Sequence, residues 1–394
     1  MKNREMHAET IAVQGRAANT GTTRTSGSVV GSIVQTATFR VSSIEEQREV
    51  RLGEEFYTRY GNPTLAEVEN VIADLESTEG ALVFASGMAA ITSCIFTAVR
   101  SGDHIVAQQA VYGSTYDFLA HWLPRFGIET TFVEATDPEQ FARAIRPQTK
   151  MIYMESPTNP TLKIVDISAI VEYARRHNIL TLVDSTFASP INQQPRKFGV
   201  DVVIHSATKF LGGHSDIICG AVAADRNFLS RLREARIVFG GVLDPHAAWL
   251  LRRGLKTLSV RVARQNENAL GLAGFLEKHP RIRSVHYPFL RSHPQHALAR
   301  KQMKGGGGVF SFEIEGTVRN TQAFVESLKL FALAPSLGGV ESLVTVPALT
   351  SHAMLSPSER KLLGITEQLI RVSVGIEHID DLTADLQEAL SRIG

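Results

Sequence analysis

Asp184 and Lys209 stand 25 positions apart; Asp184 directly follows one short apolar run and Lys209 stands a few residues past the next. The run 179–183 predicts a strand with Asp184 at its C-terminal end, and 202–205 predicts the next strand. Ser206-Ala207-Thr208-Lys209 runs off the end of that second strand. In an open parallel sheet ligands bind at the carboxyl ends of strands, so carboxylate and amine are expected in one crevice. A lysine amine that can condense with an aldehyde, facing a carboxylate that keeps a ring nitrogen protonated, is the pair that pyridoxal 5′-phosphate (PLP) chemistry requires. Ser206 and Thr208 lie two apart, so on an extended chain they share a face and offer two hydroxyls to a phosphate. A lone lysine here would read as a solvated loop residue. Its company of Asp184, Ser206, Thr208 and the Gly212-Gly213 turn favours the functional reading.

Ser86-Gly87-Met88 is a second phosphate element. It lies between a strand (81–85) and a helix, where free backbone N–H groups bind anions and glycine admits close approach. The segment 81–99 has nineteen residues without a charge, near the length of a membrane span. Its Ser86-Gly87 break and three further hydroxyl residues favour a strand, a turn and a buried helix.

These elements belong to a regular pattern. Residues 1–60 read as an irregular arm that contacts a neighbouring subunit. From 61 to 255, apolar strand-like runs at 81–85, 104–107, 151–154, 180–183, 201–204 and 217–223 alternate with helical stretches such as 65–75. That alternation predicts an α/β domain with a mainly parallel sheet. From 256 to 394 a long helix (257–278), a strand at 308–314 and a closing helix (381–393) predict a smaller C-terminal α/β domain. Gly305 to Gly308 reads as a flexible turn.

The 394 residues are 43% hydrophobic and 21% charged, with 41 basic against 40 acidic residues. A net charge of +1 gives no basic face for nucleic acid or a membrane surface. Cys94 and Cys219 are too few for a disulfide framework and read as buried hydrophobes of a cytoplasmic protein. The polar start, 1–24, lacks the apolar stretch of a secretory signal. His293 and His296, three apart with Pro294 between them, have no partners at ligand spacing, so no metal site is expected.

The motifs YTRYGNPT (57–64), SGMAA (86–90), ESPTNP (155–160), VDSTFASP (183–190), HSATKFLGGHSD (205–216), RRGLKTL (252–258), SLGGVES (336–342) and RVSVGIE (371–377) together resemble the Cys/Met-metabolism family of PLP enzymes. That group includes cystathionine γ-synthase, cystathionine γ- and β-lyases and methionine γ-lyase. The resemblance implies PLP fold type I, the aspartate aminotransferase architecture, and a homotetramer of tight dimers with shared active sites. It implies that Tyr57 and Arg59 cross to the neighbour's phosphate, Tyr112 stacks on the cofactor ring and later moves protons, and Asn159 bonds the ring hydroxyl. Arg371, supported by Ser342, would hold the substrate carboxylate, and Glu341 would meet its distal end. Gly338-Gly339 with Glu341, and Ser114 after Tyr112-Gly113, resemble the γ-synthases and cystathionine lyases more than the methionine γ-lyases. Where the family usually has Pro-Pro-Ile-Tyr, this arm has Gly31-Ser32-Ile33-Val34.

The expected reaction is γ-replacement on an O-acylated homoserine with cysteine. A γ-lyase releasing a 2-oxo acid and ammonia is the alternative. A regulator or binding module that has lost catalysis is disfavoured by the presence of Lys209, Asp184 and Arg371 and by the lack of a DNA-binding appendage.

Overall fold

The computed structural model describes residues 6–15, 28–49, 56–134, 136–353 and 355–393. Parts of the polar start and of the charged stretch 45–55 lie outside the described residues. Seven strands build the larger sheet: β1 (Gly80–Phe84), β2 (His104–Gln108), β3 (Glu129–Val133), β4 (Thr149–Glu155), β5 (Leu180–Asp184), β6 (Val202–His205) and β7 (Gly220–Ala224). Their spatial order is β1-β7-β6-β5-β4-β2-β3. β7 runs antiparallel to β1 and β6, and every other pair is parallel.

The inner strands are buried on both faces. Val106, Ile152, Val183 and Val203 join one core layer, and Ile105, Tyr153, Leu182 and Ile204 the other. Two covered faces require uninterrupted apolar runs rather than alternation, which is why these strands stand out in the sequence. β3, Glu-Thr-Thr-Phe-Val, was not expected. It occupies the sheet edge and only its last residue is buried, so it carries no apolar run.

Helices follow their caps. Asn62 accepts the Thr64 amide and Pro63 takes the first helical position of Pro63–Glu76, where its missing N–H goes unneeded. Leu65, Val68, Ile72 and Leu75 of that helix face the core. The uncharged segment 81–99 is β1 followed by the helix Gly87–Ala98. Among the described residues no helix is long and apolar enough to cross a membrane.

The second sheet holds β8 (Ile282–His286), β9 (Val309–Ile314), β10 (Ala332–Leu333), β11 (Leu343–Thr345) and β12 (Leu369–Ser373), ordered β10-β11-β12-β9-β8. Phe310, Phe312, Phe324 and Leu386 fill its core. The helix Leu258–Glu277 joins the two bodies: Leu258 and Val262 enter the large core, and Leu272 and Leu276 the small one.

Two expectations change here. The arm 1–60 is not wholly irregular, since Ala8–Gln14 is a helix whose Ile11 and Ala12 are buried in the chain's own large core. Arg252 fastens it with bonds to the Ala12 and Val13 carbonyls at 2.8 and 2.7 Å. Gly305 to Gly308 is not a loose turn: all four are buried. A Cβ on Gly306 would come within 2.5 Å of the Tyr287 ring, and one on Gly305 within 2.3 Å of Asn266. Other side chains leave no room at Gly305 and Gly306, and Gly307 has a φ of +89° that favours glycine.

Candidate active site

β4, β5 and β6 end side by side, with Glu155 opposite Asp184 and Asp184 opposite Ile204. Asp184 is 6% exposed. The Thr186 amide and hydroxyl both bond its Oδ1, which leaves Oδ2 to meet a donor. Burial raises its proton affinity, and the Thr186 bonds oppose that rise. The Thr186 hydroxyl also accepts the Ser206 amide at 2.8 Å, so the start of the lysine segment is tied to the carboxylate.

Lys209 follows in a turn, its amide bonded to the Ser206 carbonyl at 3.1 Å. Its Nζ donates to Ser336 Oγ at 2.7 Å. Burial, with the Arg371 charge nearby, lowers its pKa to about 8. Arg371 lies in β12 and is buried. Its Nη2 donates to the Ser336 carbonyl at 2.9 Å and its Nη1 to Asn159 Oδ1 at 3.1 Å. Its Nε is buried and has no hydrogen-bond partner among the described residues. Burial brings its pKa down to about 10, although Tyr112 favours the charge. Behind it His352 is buried, its pKa pushed down to about 4 by burial and then by Arg371.

At the other end of the crevice, Ser86 caps the helix 87–98 by accepting the Ala89 amide at 3.0 Å. The amides of Gly87 and Met88 have no acceptor within the helix. A Cβ on Gly87 would lie 3.0 Å from Ser206 Oγ, so the glycine lets helix start and serine hydroxyl share one spot. The donor set fits a ligand with an anionic group, a basic ring nitrogen and an aldehyde.

A model of the Cys/Met metabolism PLP-dependent enzymes matches residues 9–391. The chain belongs to that family. Its cofactor is pyridoxal 5′-phosphate, and the fit above agrees. The chain is 42% identical over 373 residues to an L-methionine gamma-lyase of Fusobacterium nucleatum, covering 93% of this chain and 94% of that one. It is 47% identical over 339 residues to a cystathionine gamma-lyase of Bacillus subtilis, covering 86% and 89%. The solved cystathionine gamma synthase from Xanthomonas oryzae pv. oryzae, in complex with aminoacrylate and cysteine, superposes with a TM-score of 0.94 at 36% identity, covering 99% of each chain. This PLP enzyme is therefore an α/β protein of the trans-sulfuration group.

Several expected site residues of this PLP enzyme sit differently from their sequence reading. The chain turns after β6, so Ser206 and Thr208 do not share an extended face. The Thr208 hydroxyl donates to the Cys219 carbonyl at 3.1 Å and accepts its amide at 3.0 Å. Ser342, expected to support the substrate carboxylate, is buried in the small domain. Its hydroxyl bonds Glu377 Oε2 and the Gly375 amide, both at 2.9 Å. The serine that touches both Lys209 and Arg371 is Ser336. Glu341 is exposed and accepts Ser215 Oγ at 3.3 Å, on the loop that follows Lys209.

Tyr112 is 39% exposed and precedes the short helix Gly113–Asp117. A Cβ on Gly113 would come within 2.2 Å of the Ser351 carbonyl, so the small domain presses directly on this turn. Tyr57 pairs with Thr38. Arg59 donates to the Ile237 carbonyl at 3.0 Å and lies 5.5 and 5.4 Å from the Tyr57 and Tyr60 ring centroids. Among the described residues these contacts do not reach the Lys209 cluster.

Sequence reasoning missed Ser336, Glu155 and His352. Ser336 has a backbone φ of +92°, a region that side chains other than glycine rarely adopt and that gathers at functional sites. Glu155, 4% exposed, accepts the Tyr112 amide at 2.8 Å and the Asn159 amide at 3.0 Å. Both residues lie in the SLGGVES and ESPTNP motifs, which was the available signal.

Proposed function

We propose that the enzyme catalyses γ-replacement on an O-acylated homoserine with cysteine, and eliminates the γ-substituent when no thiol is present. The observation that carries the amino-acid class is Ser336, whose hydroxyl meets the Lys209 amine and whose carbonyl meets the Arg371 guanidinium. A base and a carboxylate anchor thus flank one residue, as an amino acid that must lose its α-proton while its carboxylate is held would require.

Bound PLP supplies an aldehyde for amines and a protonated ring that draws electrons from Cα. The residues do the rest. Lys209 holds the cofactor covalently, and Asp184 Oδ2 keeps the ring nitrogen protonated. The amides of Gly87 and Met88, with the Ser206 hydroxyl, receive the phosphate. Asn159, whose Oδ1 is taken by Arg371, offers Nδ2 to the ring hydroxyl. Tyr112 covers the ring. Arg371 binds the α-carboxylate as a planar fork.

The released Lys209 amine, with a pKa of about 8, takes the Cα proton near neutral pH and then serves Cβ. Tyr112 passes a proton to the departing group. The γ-carbon–oxygen bond breaks and the acyl group leaves as the acid carrying that proton. The sulfur of cysteine then bonds the γ-carbon as its thiol proton passes to Tyr112, and Lys209 returns the protons taken from Cβ and Cα. The exposed Glu341 meets the ammonium of the incoming cysteine. Tyr57 and Arg59 complete the phosphate site of a neighbouring copy in a homotetramer.

A second reading, γ-elimination as the main activity, is favoured by the relatives named as γ-lyases at 42% and 47% identity. Purified enzyme given O-acetyl- or O-succinylhomoserine with cysteine distinguishes the two. Cystathionine as main product supports replacement. Dominant 2-oxobutanoate and ammonia at saturating cysteine supports the lyase, with cystathionine and methionine then offered as substrates. No turnover of any γ-substituted amino acid sinks both readings.

A further inference from the structure

We infer that Glu155 is a positioning residue that sets Tyr112 and Asn159 on a single carboxylate. This rests on the roles proposed above for those two residues and adds the group that aligns them. Its Oε2 accepts the Tyr112 amide at 2.8 Å and its Oε1 the Asn159 amide at 3.0 Å. The residue over one face of the ring and the residue at its hydroxyl edge come from different loops, 43 and 4 positions away from Glu155. One carboxylate therefore fixes their separation.

The carboxylate is itself held. The Glu155 amide donates to Gln108 Oε1 at 3.0 Å. Gln108 Nε2 donates to the Glu155 carbonyl at 2.9 Å and to the Ala110 carbonyl at 2.7 Å. Gln108 is fully buried at the end of β2, so the loop leading to Tyr112 is tied to β4 from both sides. Backbone amides bonded to a buried carboxylate form charge-assisted bonds, stronger than neutral ones. Glu155 also neighbours Asp184 in register. Burial and the Asp184 charge push its proton affinity up, and the two amides oppose this.

A purely structural carboxylate would set only stability. An aligning one sets how the ring hydroxyl and the stacked phenol meet the cofactor. Glu155→Gln is near-isosteric, yet its –NH2 can accept neither amide, so one of the two bonds is lost. The PLP-loaded enzyme is compared as wild type, E155Q, Y112F and the double variant, by visible absorption against pH, PLP affinity, melting temperature, kcat and KM.

In E155Q the expected result is a folded protein that binds PLP, with a displaced absorption titration. Its kcat should fall about tenfold or more, with KM within about threefold of wild type. The double variant should lose less than the product of the single losses, because both changes act on one side chain. An unaltered absorption titration together with multiplicative losses overturns the inference. So does failure of both E155Q and Glu155→Asp to fold, which would make Glu155 a folding element. If Y112F and Y112A both match wild type, the fault lies with the role given to Tyr112. The absorption change in E155Q then still tests the Asn159 arm.

Discussion

The Lys209 amine lies 2.7 Å from Ser336 Oγ, across 127 positions of sequence and from one domain to the other. The fold therefore holds the nucleophile from the small-domain side. In the apoenzyme only the neutral amine captures an aldehyde, and its pKa of about 8 places half of it in that form at pH 8. A lowered pKa means the neutral form appears at lower pH. The rate of covalent PLP capture should rise about tenfold from pH 7 to 9 and level off, whereas an ordinary lysine would gain steadily beyond pH 10. Stopped-flow absorption against pH measures it. Lys209→Ala should show no such capture and lose at least about 10²-fold in turnover.

Arg371 acts on that same titration, because its charge opposes the ammonium of Lys209. Arg371→Leu should move the plateau of PLP capture to higher pH. It should also lower kcat/KM by about 2–3 kcal/mol, as for a lost charge-assisted pair, with PLP content nearly unchanged. A variant that loses PLP while keeping substrate affinity would assign Arg371 to the cofactor instead.

How much of this was open to sequence reading depends on where each signal lies. Asp184, Lys209 and the Ser86-Gly87 turn are local: each follows an apolar run that two covered sheet faces demand. β3 was hidden because an edge strand needs no apolar run. The turn that separates Ser206 from Thr208 was not legible, because a turn after β6 cannot be told from extended chain by residue type. Ser336 and Glu155 act through bonds to residues 127 and 43 positions away, and no spacing rule reports those. Ser336 and Ser342 stand at the two ends of one motif, and the bonds of Ser342 to Glu377 and Gly375 that set it apart cannot be read from residue type.

Tyr57 and Arg59 provide a test of shared sites. Among the described residues their contacts are local or to nearby segments, with Tyr60, Gly61, Thr38 and Ile237, and Tyr57 is 39% exposed. An arginine drawn from a neighbour would complement one that is missing. Mixing Arg59→Ala chains with Lys209→Ala chains should restore about a quarter of wild-type sites, since half of random two-fold dimers are hybrid and each hybrid has one intact site. Activity after co-refolding measures this, and mixtures as inactive as either parent mean that Arg59 serves its own chain.

The proposed role of Glu341 in favouring replacement over elimination can be tested directly. Glu341 is exposed on the loop side of Lys209, and among the described residues its side chain accepts a long bond from Ser215. Gly339 sits tight beside this pair, since a Cβ there would lie 2.6 Å from Ser215 Oγ and 2.9 Å from Glu341 Oε2. A larger residue at Gly339 would displace the carboxylate. An exposed anion attracts the ammonium of cysteine by about 1 kcal/mol or less once solvent screens it, so the effect belongs in the apparent affinity for cysteine. Glu341→Ala should raise the cysteine concentration needed for half-maximal cystathionine formation about threefold to fivefold. Elimination to 2-oxobutanoate without cysteine should stay within about twofold of wild type, because the Lys209–Ser336–Arg371 cluster is untouched. Gly339→Ala should follow Glu341→Ala in direction, by moving the same carboxylate. The assay follows cystathionine and 2-oxobutanoate together over a cysteine titration. Equal losses of both products in Glu341→Ala would make Glu341 a structural partner of Ser215 and leave the thiol to be recognised elsewhere.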